Sequence, residues 1–229
     1  MQVWQRFKQA RAEYGTLNLL LFALQRSIQR IAPTALFERL YVMRQPVASA
    51  ASAPSRRGAA IDVIAPPPDD PRLTLITRLP GELAARFAQR AVCLCAVRQD
   101  ELLGWLWFAE HRFKEFDYPL EFHLPPNSAW DFDVYVMPRA RLGAAFPRLW
   151  DTAATRMRAR GITHSFSIVS AFNPMSRTSH ERLGATSLGS LMIIRLGSFQ
   201  AVLTRRFGMP LRCSLRRDFR ASVRLRTDR

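Results

Sequence analysis

Leu17, Leu20, Leu21, Leu24 and Ile28 recur at three- and four-residue steps, one face of a 3.6-residue period. Arg11, Gln25, Arg26, Gln29 and Arg30 supply the polar sides, so the pattern predicts an amphipathic helix over residues 3–31. Pro33 and Thr34 fit the opening of a second, shorter helix through Met43. Residues 45–70 are rich in Ala, Ser and Pro and end in three prolines and two aspartates, the composition of a linker, with a short strand at 61–64.

From Arg72 the texture changes. Residues 73–76 read as a strand and 82–90 as a short helix. The apolar runs 91–97 and 102–109, separated by Arg98, Gln99, Asp100 and Glu101, read as a hairpin. The polar and aromatic stretch 111–128 contains Pro119, Pro125 and Pro126 and reads as a loop. A strand over 130–137 stops at Pro138, and Leu142, Ala145, Phe146, Leu149, Ala153 and Met157 line one face of a helix over 142–160 that Gly161 ends. A strand at 164–170, a helix at 174–183 stopped by Gly184 and a strand at 188–196 complete the order. The expected class is α/β (α+β): a mixed, mostly antiparallel sheet flanked by helices, behind an N-terminal helical extension. The expected segments are a helical extension at 1–44, a linker at 45–70, a domain at 71–204 and a basic tail at 205–229.

Charge sharpens this. The 34 Lys and Arg outnumber the 18 Asp and Glu, a formal net charge of +16, and only Lys8 and Lys114 are lysines. The tail is densest, with nine basic residues against two acidic ones. Such a balance favours anionic partners, although an Arg-rich, Ala-rich composition also follows from a GC-rich genome. No apolar run reaches the roughly 20 residues of a spanning helix. The basic residues between the apolar run at 17–24 and the small-residue site at 48–50 make poor signal-peptide geometry. Three cysteines, Cys93, Cys95 and Cys213, make no disulfide framework and fit a reducing cytoplasm. His111, His123, His164 and His180 lack metal-ligand spacing, so no metal is expected. Neither a G-x-S-x-G elbow nor a phosphate-binding glycine loop of the Walker or Rossmann kind occurs.

Two stretches carry chemistry. In Val136-Met137-Pro138-Arg139-Ala140-Arg141-Leu142-Gly143-Ala144-Ala145 a strand feeds a helix. A helix N-terminus presents unpaired N–H groups and a positive dipole end, Gly143, Ala144 and Ala145 allow close approach, and Arg139 and Arg141 add charge. The second stretch is Asn173-Pro174-Met175-Ser176 followed by His180-Glu181-Arg182-Leu183-Gly184-Ala185. Together with the element order and the hairpin, these resemble the GNAT superfamily of acyl-CoA-dependent N-acyltransferases over about residues 71–200. The first is similar to the family's V-x-P-x-x-R-G-x-G/A-x-G junction, with Leu142, Ala144 and Phe146 where the pattern carries glycine or alanine. The second is similar to its N-x-x-[AS]-x-x-x-Y-x-x-x-G-F helix, with His180 at the tyrosine.

The resemblance implies acetyl-CoA, or another acyl-CoA, as co-substrate, bound by Val136, Arg139, Arg141, Gly143, Ala144, Ala145, Asn173 and Ser176. It implies a carboxylate base on the fourth strand of the domain, where Asp131, Asp133 and Tyr135 alternate on one face, and a proton donor for the leaving thiolate at His180. Glu110 and Glu121 are the next bases in line. Asn173 and Ser176 also fit a helix cap. The acceptor is expected to be an amine, met by the aromatic, acid-bearing loop 112–128. The N-terminal helix fits the protein's own core, a second copy in a homodimer, or an anionic membrane, which would direct the enzyme to a glycolipid or polysaccharide precursor. The alternative is a nucleic-acid-binding module built on Arg205, Arg206, Arg212, Arg216, Arg217, Arg220, Arg224 and Arg226 with Phe207 and Phe219, although no recognised nucleic-acid motif is present.

Overall fold

A computed structural model describes residues 14–48, 60–77, 79–204, 206–207 and 210–226. In chain order the elements are α1 (Thr16–Ile31), β1 (Leu36–Pro46), β2 (Asp62–Ile64), α2 (Glu82–Ala88), β3 (Val92–Arg98), β4 (Glu101–Glu110), β5 (Arg112–Lys114), β6 (Leu120–His123), β7 (Ser128–Val136), α3 (Ala145–Ala159), β8 (His164–Ser170), α4 (Pro174–Arg182), β9 (Thr186–Leu196), β10 (Phe199–Thr204), β11 (Leu211–Ser214) and β12 (Ala221–Arg224). Short 3-10 turns occupy Pro71–Leu75 and Pro138–Ala140. The fold is mixed α/β with mostly antiparallel strand pairing, as expected. The chain divides into two compact units.

One unit comprises residues 46–116 and 122–167. Its strands follow the order β2-β3-β4-β7-β8, antiparallel except for β7 beside β8. Parallel pairing of β7 with β8 is confined to Ser128–His164, Ala129–Ser165 and Trp130–Phe166. β4 reads as a continuous apolar run because both of its faces are covered, Leu106, Trp107 and Phe108 having no exposed surface. α3 turns Ala145, Leu149, Ala153 and Met157 inward, the stripe its spacing predicts, and packs on β3 and β4. Phe87 of α2 meets Trp107 edge-on at 5.4 Å, on the sheet face that also carries Phe132. Gly104 is required where β4 crosses β7, since a Cβ there would lie 2.5 Å from the Tyr135 carbonyl oxygen.

The other unit comprises residues 1–45, 117–121 and 168–229. The end of β8, β1, β9, β10 and β11 lie side by side in that order. β1 runs antiparallel to β9 from Leu36–Arg195 to Arg44–Thr186. α1 docks through polar groups: Gln25 Nε2 donates to Glu38 at 2.9 Å, and Asn18 accepts from Arg39 at 2.8 Å and donates to Tyr41 at 2.9 Å. Its leucines point the other way, with Leu17, Leu20, Leu24 and Ile31 exposed by 58%, 65%, 47% and 88%.

Several expectations are corrected. Residues 33–43 are not helical. Ala32 ends α1 with φ −132°, Pro33 and Thr34 turn, and β1 follows, buried on both faces. Such a strand shows no period-2 alternation and is indistinguishable from a buried helix by spacing. Residues 73–76 are part of a 3-10 turn that Pro71 opens and Asp70 caps, its Oδ1 accepting from the Arg72 N–H at 2.9 Å. The loop 111–128 contains β5 and β6, and the basic stretch beyond 204 contains β11 and β12. The helix expected from 142 begins at Ala145, and of the helix expected over 3–31, residues 1–13 lie outside the described residues.

Candidate functional site

β7 pairs with β4 as Asp131–Phe108 and Phe132–Trp107, then resumes as Tyr135–Trp105 and Val136–Gly104. Two β7 residues, Asp133 and Val134, therefore oppose Leu106 alone. Asp133 takes φ 47°, the left-handed geometry of a bulge. The extra residue shifts the alternation, which corrects the expectation that Asp131, Asp133 and Tyr135 share a face. Asp131 lies on the Phe108 side, 1% exposed, with the Ser165 hydroxyl donating to its Oδ1. Tyr135 moves to the opposite side and stacks on Trp105 at 4.7 Å.

Asp133 also faces that aromatic side. Arg86 of α2 reaches it at 2.6 Å through Nη1 and grips Glu82 at 2.5 Å through Nη2. The guanidinium carbon of Arg86 lies 5.0 Å from the centroid of Trp107 and 5.3 Å from that of Phe132. Glu82, Arg86 and Asp133 thus form a carboxylate–guanidinium–carboxylate group with one net negative charge over an aromatic floor. Nothing local in the sequence announces it, because Arg86 and Asp133 lie 47 positions apart.

The turn into α3 is shaped by short-range contacts. After Met137, Pro138 opens the 3-10 turn, and Gly143 N–H donates to the Ala140 carbonyl at 3.0 Å. Arg141 Nε donates to the Val136 carbonyl at 3.2 Å while its guanidinium carbon stands 5.7 Å from the centroid of the Tyr135 ring. Arg139 is tied to Glu101 at 2.8 Å. Arg141, Leu142 and Gly143 are exposed. Ala144, at the helix cap, supplies no capping side chain, and the first turn of α3 contains no acid. Phe146, at a glycine position of the junction pattern, turns toward Trp150, their centroids 6.3 Å apart, and away from the helix mouth.

Asn173, Ser176 and His180 belong to the unit that holds α4. Asn173 Oδ1 accepts from the Ser176 N–H at 3.1 Å, so the pair caps α4 with Pro174 at the first helical position. His180 is half-buried on α4, and its carbonyl accepts from the N–H groups of Leu183 and Ala185, which closes the helix before Gly184. Among the described residues no group of His, Cys, Asp or Glu is placed to hold a metal ion.

No family model matches the chain, and no curated protein matches it. Solved structures do. A GCN5-related N-acetyltransferase from Sphaerobacter thermophilus aligns with a TM-score of 0.49 at 17% identity, over 74% of this chain and 54% of that one. A GCN5-related glucosamine N-acetyltransferase region of a fungal multi-domain β-N-acetylglucosaminidase aligns at 0.47 and 15%, over 75% and 23%. A functionally unknown conserved protein from Staphylococcus epidermidis aligns at 0.47 and 12%, over 75% and 66%. The chain spans about two thirds of these structures' lengths or less. Likeness at these values transfers neither fold nor chemistry, and both rest on this chain's own strands and side chains.

Proposed function

We propose that the chain is an N-acyltransferase that moves an acetyl or longer acyl group from acyl-CoA to an amine. The supporting observation is the β7–Pro138–α3 junction: a helix N-terminus with no side-chain cap and no acid in its first turn, preceded by the exposed Arg141, Leu142 and Gly143, with Arg141 anchored through its Nε. That arrangement suits a pyrophosphate, which helix N–H groups and a guanidinium bind together. Acyl-CoA, when bound, supplies the thioester. Arg141, Gly143, Ala144 and Ala145 hold its pyrophosphate, while Arg139, engaged by Glu101, contributes less. Asn173 and Ser176 cap α4.

Asp133 is the base in this reading. The bulge turns it toward the aromatic side, and the net negative charge it shares with Glu82 and Arg86 attracts an ammonium group before accepting its proton. Asp131, buried in the other face, holds β7 to β8 through Ser165. His180 returns a proton to the departing thiolate. Calorimetry with acetyl-CoA tests the placement. Wild type binds, Arg141→Glu binds on the order of tenfold more weakly or worse, and Arg139→Glu has a smaller effect. Absence of binding to wild type, or Arg141→Glu without effect, refutes it.

A membrane location fits one further observation. α1 exposes Leu17, Leu20 and Leu24 in one stripe, carries the exposed Arg26 and Arg30, and contains no acidic residue. A second copy of the same helix would bring arginines together, whereas an anionic bilayer accepts both the leucines and the charge. We therefore take the occupant of this face to be an anionic lipid surface, and the amine acceptor to be a component of that surface.

A further inference from the structure

The stretch that looks in the sequence like a charged tail folds its arginines around a cavity of about 640 Å³. Arg44, Arg206, Arg212, Arg224 and Arg226 line it, all from the unit that contains α1. Each arrives for a local reason. β12 alternates strictly: Ala221, Val223 and Leu225 are buried, so Ser222, Arg224 and Arg226 take the opposite face. Arg44 stands at the end of β1 opposite Thr186, the first residue of β9, and Arg212 lies on β11 opposite Val202.

β9 then bulges. Val42 pairs with Gly189 but Met43 with Ser187, which leaves Leu188 as the extra residue. Its carbonyl accepts from Arg206 Nη1 at 2.9 Å. Gly189, at φ 150°, makes room: a Cβ there would stand 3.1 Å from the Arg206 side chain and 3.4 Å from the Phe207 ring. Arg206 is thereby fixed at the rim and Phe207 forms an apolar wall, so the cavity is built by backbone geometry as well as by charge.

Among the described residues no carboxylate lines the cavity, and Arg206, Arg212, Arg224 and Arg226 make no ion pair. Guanidinium groups gathered in a concave, partly apolar space repel one another, and an anion relieves that repulsion. Planar guanidinium forks match phosphate oxygens two at a time. The forks of Arg212, Arg224 and Arg226 with the hydroxyls of Thr186, Ser187 and Ser222 provide more donors than one phosphate can satisfy, and the volume is that of a small-molecule site. We propose that this cavity binds a ligand carrying two or more phosphate groups close together, with Leu188 and Phe207 against its organic part. The site lies wholly within the unit that contains α1 and does not depend on the acyltransferase reading.

Calorimetry at moderate salt with inorganic pyrophosphate is the test. One pyrophosphate is expected per chain, bound more tightly than orthophosphate, and the melting temperature should rise with its concentration. The double variant R212E/R224E, both positions on the protein surface, should weaken binding by on the order of a hundredfold or more. Arg195→Glu, a charge reversal on β9 remote from the Thr186–Leu188 lining, should leave it unchanged. Phosphatidylcholine vesicles containing a bisphosphorylated phosphoinositide distinguish the source. Vesicle binding that pyrophosphate displaces makes the ligand a lipid headgroup, and pyrophosphate binding without vesicle binding makes it a soluble metabolite. The proposal falls if pyrophosphate does not bind, if orthophosphate binds equally well, or if R212E/R224E binds like wild type.

Discussion

Arg86 Nη1 stands 2.6 Å from the Asp133 carboxylate, although the two residues come from a helix and a strand with no proximity in sequence. With Glu82 on its other nitrogen, Arg86 keeps Asp133 fixed beside Trp107 and Phe132. Asp133→Asn is expected to lower kcat by about 10²–10⁴ with acyl-CoA affinity nearly unchanged. Asp131→Asn should instead lower stability, measured by urea unfolding, because an amide replaces the buried carboxyl group to which the Ser165 hydroxyl donates. Reversed outcomes would exchange the two roles.

The leaving thiolate needs a proton, and His180 is the expected donor. His180→Ala should reduce kcat on a good acceptor while acyl-CoA still binds, and His180→Tyr should retain more activity than Ala. A steady-state comparison of the three proteins decides this. Equal rates would make His180 a helix-closing residue and nothing more.

Glu38 predicts a pH dependence of stability. Burial pushes its carboxyl above the usual range, opposed by hydrogen bonds from Ser170 and Gln25. Raised in the folded state, it favours folding while protonated, an advantage complete below the ordinary carboxylate value of about 4.3 and lost as pH climbs through the raised value. Glu38→Gln should flatten that decline. Urea midpoints between about pH 4 and pH 7 measure it, and identical slopes in both proteins would show that Glu38 does not couple to folding.

The outward leucines of α1 predict lipid binding. Wild type should float with vesicles rich in phosphatidylglycerol and not with pure phosphatidylcholine, and Leu20→Glu with Leu24→Glu should abolish flotation without altering thermal stability, since neither side chain is buried. If the double variant floats as well as wild type, α1 is not the lipid contact. If it becomes a monomer from a dimer, the face belongs to a second copy.

What could be read in advance follows how local each cause is. The β7–turn–α3 junction was legible because Pro138 stops the strand, the inward stripe from Ala145 to Met157 sets the helix and Gly161 ends it, all within one short stretch. The cap of α4 was legible too, since Asn173 and Pro174 act on their immediate neighbours. β1 was misread because what makes it a strand is β9, about 150 positions away. The bulge at Asp133 was hidden because it is a property of the β4–β7 register, and one extra residue reassigns every later side chain to the other face. The arginines beyond Thr204 read as a solvated charge run, since two four-residue strands of mixed polarity give almost no periodic signal.

The pairing of β1 with β9 also orders events in time. Residues 36–46 are synthesised well before 186–196, the strand that satisfies one of their two edges. Until β8 and β9 have both been made, β1 offers an unpaired edge and an apolar surface, the condition under which nascent chains recruit chaperones or pair with one another. The unit built from 46–116 and 122–167 is complete in sequence before β9 begins, so its own contacts can form first. The arginine-lined cavity, assembled from β1, β9, β11 and β12, exists only once strands far apart in sequence have met, so a ligand there holds together parts of the chain made at widely separated times.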